Sequence, residues 1–446
     1  MTQDTITLTD LVARQDLDAI DRWLSEHGAL DVADELARLE PSERAVVFRL
    51  LAKDRALAVF EALDPIHQQQ LLDALADESV NDLFLGLDPD DRARLTDEMP
   101  AKVANRLLAG LPDHARKNTN ILLGYPEESV GRGMSPRYVS LRASLTAADA
   151  LAKVRRAGLR SREVLVLPVT DDQRRLVGVV DLPDVVTATS DTRIDQLIGP
   201  ETYSVRVNED QEVGARLMQE ADLVALPVVD TEDRLVGVFT VDDAMEILEQ
   251  EDTEDFARAG GAEPLTVPYM EATVLQLARK RATWLLVLIL AAVATVNVLG
   301  VFEDTLEEVL ALALFIPLLI DTGGNSGSQA ATVVIRAMAV GEVRFSDLPR
   351  VLKRELVVGL LLGLMLGLVA IPIVWAFFGI EFALVIGSTL FVICTWASFS
   401  GGLLPIVAKR IGIDPAVVSA PLITTLVDAT GLIIYFLIAQ AILGIG

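Results

Sequence analysis

A carboxylate in the middle of an apolar segment is the side chain of this sequence best suited to handle a cation. Asp428 lies near the centre of residues 416–443, which are otherwise mostly apolar. A charge at mid-membrane depth costs about 2.5–3.5 kcal/mol on insertion scales, so such residues usually mark the path of an ion or a proton. Thr424, Gly431 and Tyr435 share its helical face and form a polar or small stripe. Because the stripe offers oxygen ligands without Cys or His, it favours a hydrated hard cation; the alternative is a protonated Asp428 hydrogen-bonded to a neighbouring helix.

A second polar stretch, residues 316–329, interrupts the apolar segment 309–335 with a proline, three glycines, an aspartate and several hydroxyl and amide side chains. We expect it to break the helix, and backbone outside the helical ladder must be buried in protein or line a watery cavity when it lies in lipid. The stretch is therefore interpreted as part of a permeation path; the alternative is a long loop between two short helices of a soluble protein. The predicted ligands for the ion or its waters are Asp428, Asn325, Gly324 with the broken backbone after Pro317, Thr424 and Thr425.

Composition divides the chain into an acidic half and an apolar half. Mean hydropathy is +0.41, and of 38 basic and 64 acidic residues only 8 and 11 lie in residues 281–446, which leaves a net charge of −23 on residues 1–280. Such acidity argues against nucleic acid as a partner and in favour of cations or simple solubility. The single cysteine, Cys394, excludes a disulfide framework and a thiolate metal site.

Five apolar segments predict a membrane domain over residues 279–446. Each has about the 20 residues that a bilayer crossing needs. Basic residues flank the start of the first segment and fill the second and fourth connections, whereas the first and third carry acids. The positive-inside rule therefore predicts a multi-pass protein of the cell (inner) membrane, with the acidic half in the cytoplasm and the C-terminus outside. The predicted spans are about 282–301, 309–335, 356–378, 382–408 and 416–443.

The first 130 residues carry a repeat of short amphipathic helices. Leu-acid-Pro triplets recur every 24 residues, at Leu39-Glu40-Pro41, Leu63-Asp64-Pro65 and Leu87-Asp88-Pro89. An acidic residue followed by Pro is a good helix start. Two helices per period predict an α-solenoid domain, a fold that mostly serves as a binding or regulatory surface.

A duplication with a 59-residue offset follows, over residues 131–241. Leu167-Pro168-Val169 with Leu176 to Val179 matches Leu226-Pro227-Val228 with Leu235 to Val238. Each copy is predicted to be strand, turn, strand and acidic helix start, and the arrangement resembles a pair of CBS motifs. That resemblance implies an α/β tandem that senses ligands, with a nucleotide such as ATP as one candidate. The residues it implies for nucleotide contact are Thr240, Asp243 and Asp184.

An acidic segment, residues 242–278, connects the duplication to the first span. Asp243 and Glu246 share one helical face, as do Glu251, Glu254 and Asp255. Like charges at this spacing destabilise a helix unless cations neutralise them. We interpret the segment as a connecting helix whose carboxylates bind hard divalent cations; the alternative is a solvated helix and linker.

The motif Pro317 to Gln329, together with Pro421 to Gly431 and the order of the domains, resembles the MgtE family of magnesium channels. The resemblance implies a homodimer permeable to Mg²⁺, whose cytoplasmic domains close the pore when cytoplasmic Mg²⁺ is high. It makes Asp428 the pore carboxylate. It implies as regulatory Mg²⁺ ligands Asp91, Asp210, Glu212, Asp222, Asp243, Glu246, Glu251, Glu254 and Asp255.

One Asp428 per chain provides only one carboxylate for a divalent ion. A symmetric dimer would bring two Asp428 side chains to the same axis. Two other functions fit the same residues. One is a proton-coupled secondary carrier of divalent cations such as Co²⁺, Ni²⁺ or Mn²⁺, and the other is a membrane-anchored CBS-type nucleotide sensor that transports nothing. No nucleophile, general base or cofactor loop is assembled in the sequence, so we do not expect an enzyme.

Overall fold

The structure is a computed structural model that describes residues 7–75, 77–158, 164–265 and 267–445. Two compact units divide the chain, Met1–Glu251 and Asp252–Gly446. The first holds the short helices and the strands, and the second holds the long apolar helices.

Short helices that follow the 24-residue repeat build the first part of unit one. Leu39, Leu63, Leu87 and Leu111 of the repeat are all buried, which explains why leucine recurs at this position. Prolines lie in the first turn of the fourth, sixth and eighth helices, as predicted, although the acidic residues before them make no side-chain capping hydrogen bond. The helices are α1 (Leu8–Ala13), α2 (Leu17–Glu26), α3 (Ala29–Ala37), α4 (Pro41–Phe48), α5 (Lys53–Glu61), α6 (Pro65–Ala74), α7 (Asp77–Gly86), α8 (Pro89–Glu98), α9 (Ala101–Gly110) and α10 (Asp113–Leu123).

The duplicated region folds into two strand pairs with the same register. Val166 pairs with Asp181 and Ala225 with Thr240, and each hairpin has an irregularity at the equivalent position. The 59-residue offset is therefore a repeat of structure as well as of sequence. The elements are α11 (Val130–Gly133), α12 (Ala147–Ala157), β1 (Val166–Thr170), β2 (Leu176–Asp181), α13 (Leu182–Thr187), β3 (Val205–Arg206), α14 (Gln211–Glu220), β4 (Ala225–Val229) and β5 (Leu235–Thr240).

The acidic segment forms α15 (Val241–Ala259), which follows β5 directly and contains the boundary between the two units. The helix ends sooner than the predicted segment 242–278. Gly260 and Gly261 follow it, and Gly261 has φ +70°, a conformation that suits glycine and terminates a helix.

Five helices in the described part of unit two are long and apolar enough to cross a membrane, as predicted. Spans two and three each begin with a short 3₁₀ segment, Leu310–Phe315 and Phe345–Asp347. The helices are α16 (Val274–Val301), α17 (Glu303–Glu308), α18 (Ile316–Ala339), α19 (Leu348–Phe378), α20 (Ile380–Arg410) and α21 (Ala420–Leu443), of which α16, α18, α19, α20 and α21 are the cores of spans one to five.

The helix break predicted at residues 316–329 is wrong. The segment lies inside α18, which runs as one helix from Ile316 to Ala339, with Pro317 in the first turn where its missing N–H has no cost. The backbone after Pro317 is therefore used in the helical ladder and does not supply the carbonyl ligands that we expected.

The glycines of α18 permit close helix packing instead of breaking the helix. A Cβ on Gly324 would lie 2.7 Å from Cγ2 of Thr424, and one on Gly327 would lie 2.8 Å from Cγ2 of Ile423. On the facing helix α20, a Cβ on Gly401 would lie 2.3 Å from the carbonyl oxygen of Gly327. Small residues that let helix backbones approach are a common device in membrane helix packing.

Candidate ion path and acidic cleft

Asp428 lies half-buried in the middle of α21. Among the residues that the structure describes, no group donates a hydrogen bond to its carboxylate, although Asp321 of α18 lies within electrostatic range. The register of the two helices agrees with this, since Gly327 packs at Ile423 and Gly323 at Val427. Asp321 is two residues before Gly323 and Asp428 is one residue after Val427, so the two carboxylates lie at about the same level.

The exposed face of α18 carries a polar stripe that the sequence interpretation did not assign. Asp321, Asn325 and Gln329 follow i, i+4 and i+8 spacing, and all three are exposed in the single chain. Within the described ranges none of these three side chains has a hydrogen-bond partner. Asn325 was a predicted pore residue, whereas Asp321 and Gln329 lie in the stretch assigned to the permeation path but were not predicted as ligands. Their four-residue spacing could have indicated a shared face, but only if the segment had been predicted to be helical.

The remaining predicted pore residues take packing and hydrogen-bonding roles between α18 and α21. The Thr424 hydroxyl lies 3.1 Å from that of Ser328 and donates to the Ala420 carbonyl at 3.0 Å. Thr425 donates to the Pro421 carbonyl at 2.9 Å. Gly324 lies against Thr424, so its function in this arrangement is close approach.

A cleft in unit one gathers part of the predicted regulatory set. Asp90 and Asp91 lie in the first turn of α8 and Asp243 in the first turn of α15, where the positive helix N-termini favour carboxylates; Glu246 follows one turn later. The cleft is lined by eight carboxylates and two guanidinium groups, those of Arg94 and Arg132. The lining carboxylates are those of Asp90, Asp91, Asp97, Glu98, Glu127, Glu128, Asp243 and Glu246.

Burial of these carboxylates changes their proton affinity. Burial and the charge of Asp243 raise the pKa of Asp90 well above its usual range. Burial raises the pKa of Asp91 to about 6 against the opposing effect of Arg94, and burial raises that of Asp243 to about 7 although Thr240 donates a hydrogen bond to it. One oxygen of Asp90 is buried without a hydrogen-bond partner among the described residues. The cleft therefore favours protons or other cations.

Other predicted regulatory residues of unit one do not line this cleft, although Gln211, between Asp210 and Glu212, does. Asp210 caps α14 by accepting a hydrogen bond from the Glu212 amide at 2.8 Å, and Glu212 pairs with Arg216 at 2.6 Å. Asp222 lines a separate cleft of the duplicated region.

The second half of α15, in unit two, has its own ion pairs. Arg258 lies 2.8 Å from both Glu254 and Asp414, and Asp252 lies 3.5 Å from Arg336. Glu254 therefore belongs to a mixed-charge network that includes Asp414, a residue that the sequence interpretation did not assign. Glu251 and Asp255 flank this turn of the helix.

The predicted nucleotide residues are divided between two clefts. Thr240 donates a hydrogen bond to Asp243, and Asp243 lines the acidic cleft with Asp90 and Asp91. Asp184 lines the cleft that also contains Asp181 and Asp222. The structure therefore does not bring Asp184 together with Thr240 and Asp243.

Comparison with known proteins covers both units. A family model described as a divalent cation transporter matches residues 316–438, one described as the MgtE intracellular N domain matches 28–128, and the CBS domain model matches 128–191 and 194–250. The chain is 39% identical over 335 residues to the magnesium transporter MgtE of Thermus thermophilus, which covers 75% of this chain and 74% of that protein. The chain belongs to the MgtE family of magnesium transporters.

Other relatives agree with this assignment. The magnesium transporter MgtE of Enterococcus faecalis is 32% identical over 320 residues, 72% of this chain and 70% of that one. Among solved structures, the cytosolic domain of the Mg²⁺ channel MgtE in complex with ATP superposes with a TM-score of 0.51 at 32% identity, covering 54% of this chain and 99% of that domain. The predicted helical N-terminal domain, CBS pair and membrane helices are confirmed, and so is the expectation that a transporter of this family is not an enzyme. The alternative of a sensor that transports nothing is wrong.

Proposed function

We propose that the chain is a Mg²⁺ channel in which Asp428 from each of two copies holds one hydrated ion. The observation that carries this proposal is the exposed polar stripe of α18, formed by Asp321, Asn325 and Gln329. Unpartnered acid and amide side chains on a membrane-spanning helix are costly in lipid. They are accommodated where the same face meets a second copy or a water-filled path, and two-fold assembly is the commonest symmetry of homo-oligomers.

A hydrated ion suits the geometry at Asp428. Mg²⁺ gives up its waters reluctantly and is usually held by one or two carboxylates. The Asp428 carboxylate receives no hydrogen bond from the described residues, so its oxygens are available to the waters of a passing ion. Thr424 and Thr425 use their hydroxyl protons within α21, which leaves oxygen lone pairs for the same waters.

We further propose that cytoplasmic Mg²⁺ closes the channel through the acidic residues of the soluble domains and the connecting helix. The raised pKa values of Asp91 and Asp243 support this, because they indicate that positive charge stabilises the closed cleft. No group of three or more His, Cys, Asp or Glu side chains in the described residues is arranged as a metal cage. The cleft therefore suits cations that retain most of their waters, and screening contributes over a Debye length of about 8 Å.

We also propose an orientation for the chain. The basic connections support soluble domains in the cytoplasm and a C-terminus outside. We infer domain boundaries at 1–130, 131–241, 242–278 and 279–446.

ATP is a candidate ligand of the CBS pair, supported by the ATP-bound cytosolic domain of the related channel.

Recordings from the full-length protein in planar bilayers test this proposal. Discrete unitary Mg²⁺ currents are expected, with an open probability that falls as Mg²⁺ is raised on the cytoplasmic face. Saturable flux that requires a proton gradient, without unitary currents, would instead show that the protein is a proton-coupled secondary carrier. Currents that do not respond to cytoplasmic Mg²⁺ would refute the proposed closure by Mg²⁺ and would still agree with the proposed pore.

A further inference from the structure

Arg94 lies between two carboxylates of the acidic cleft that come from different elements. Its guanidinium is 3.0 Å from Asp91, one turn earlier on α8, and forms an ion pair with Glu246 of α15. The pair connects the helical repeat to the acidic helix within unit one. A planar guanidinium is well shaped to hold two carboxylates at once.

The other arginine at the start of α8 has a different function. Arg92 is buried, with its guanidinium 3.1 Å from the Thr119 hydroxyl and 3.0 Å from the Leu85 carbonyl. The second guanidinium of the cleft, that of Arg132, is 3.0 Å from Asp97. Of the arginines at the start of α8, Arg94 is therefore the one whose charge is placed between Asp91 and Glu246.

Asp91 and Glu246 are also two of the residues expected to bind regulatory Mg²⁺. An ion that contacts both carboxylates has to displace the Arg94 guanidinium, because all three groups meet at one point. The lack of a cage of three acidic ligands among the described residues agrees with this competition.

We propose that Arg94 is a resident cation that replaces one Mg²⁺ at the contact between α8 and α15, so that this cleft remains closed when Mg²⁺ is removed. This inference rests on the proposed gate, since it assigns part of the closing charge to the protein itself. In this chain Mg²⁺ then regulates through carboxylates outside this cleft, such as those of the second half of α15.

The test measures closure of the cleft directly. Spin labels are placed at the exposed positions Lys102→Cys on α9 and Met245→Cys on α15, in the full chain carrying Cys394→Ala. Labelled chains are diluted with unlabelled chains so that intrachain distances dominate. With Arg94 present, the distance in EDTA is expected to match that in saturating Mg²⁺.

Arg94→Gln is expected to lengthen and broaden the distance in EDTA, to restore the short distance in Mg²⁺, and to bind about one additional Mg²⁺ per chain in equilibrium dialysis. The charge exchange Arg94→Glu with Glu246→Arg is expected to restore closure in EDTA. Arg116→Gln, at an exposed ion pair of α10 outside the cleft, is the matched control and is expected to behave like the parent chain.

Three results overturn the inference: a parent chain whose distance lengthens in EDTA, an Arg94→Gln chain that stays closed in EDTA, or an Arg94→Gln chain that binds no additional Mg²⁺. Failure of the proposed gate is distinguishable. In that case Mg²⁺ does not reduce the channel's open probability, whatever the distance measurement gives.

Discussion

The Ser328 hydroxyl lies 3.1 Å from the Thr424 hydroxyl, and this contact sets the register between spans two and five. The Ser328 hydroxyl also lies 3.1 Å from the Ala420 carbonyl oxygen. Together with the contact of Gly324 with Thr424, these contacts align the polar face of α18 with the half of α21 that carries Asp428. The candidate ion path is therefore a property of two packed helices and not of a break in one of them.

Close packing at the crossing of α18 and α20 makes a first prediction. Gly401→Ala is expected to lower the stability of the membrane unit by about 1–3 kcal/mol, the usual cost of overpacking, because the new Cβ meets the backbone oxygen of Gly327. Thermal unfolding in detergent measures the change. Gly300→Ala in span one, where a Cβ meets nothing within 4 Å, is the control; equal melting temperatures for both variants would contradict the packing assignment.

Asp321 is expected to add to the negative field at Asp428 without holding the ion alone. Asp321→Asn should therefore raise the Mg²⁺ concentration for half-maximal flux several-fold while leaving the maximal flux largely intact. Flux into proteoliposomes at varied Mg²⁺ measures both quantities. An unchanged half-maximal concentration would mean that Asp321 lies away from the ion path.

Acid should mimic Mg²⁺ at the cleft. The closed cleft holds Asp91 and Asp243 with pKa values of about 6 and about 7, above the ordinary value of 3.8. The closed state therefore binds more protons than the open one, so its stability is full below the ordinary pKa and is lost as pH rises through the raised values. The groups that face one another there are Asp90, Asp91, Arg94, Asp97, Glu98, Glu127, Glu128, Arg132, Asp243 and Glu246.

This prediction is measured with the same spin-label pair, in EDTA, in the Arg94→Gln chain, where the cleft is expected to be open. Lowering the pH from about 8 to about 5.5 should shorten the distance. Adding Asp243→Asn should reduce the size of that change. A distance that is independent of pH would show that these carboxylates are not buried together.

Local patterns were sufficient to predict the architecture. The 24-residue repeat and the 59-residue offset each describe a unit that contacts its neighbours in sequence, and hydropathy alone finds the spans. The element types and their order could therefore be read before any contact was known.

The glycine-rich segment shows where this reasoning fails. Glycine and proline in an apolar run are compatible with a broken helix or with a tightly packed one, and the difference lies in a partner helix. Here Gly401 of α20 and Thr424 of α21 supply the partner surfaces, and nothing near residue 324 in the sequence indicates them. The ion pair between Arg94 and Glu246 was unpredictable for the same reason.

The most direct measurement of the central claim is Mg²⁺ flux into proteoliposomes containing Asp428→Asn, compared with Asp304→Asn in the connection after span one. Removing the mid-membrane charge should reduce flux by at least about 100-fold, on the order of 3 kcal/mol lost at the ion-binding step, while the control retains the parental rate. Parental flux through a correctly folded Asp428→Asn protein would contradict the assignment of Asp428 to the ion path.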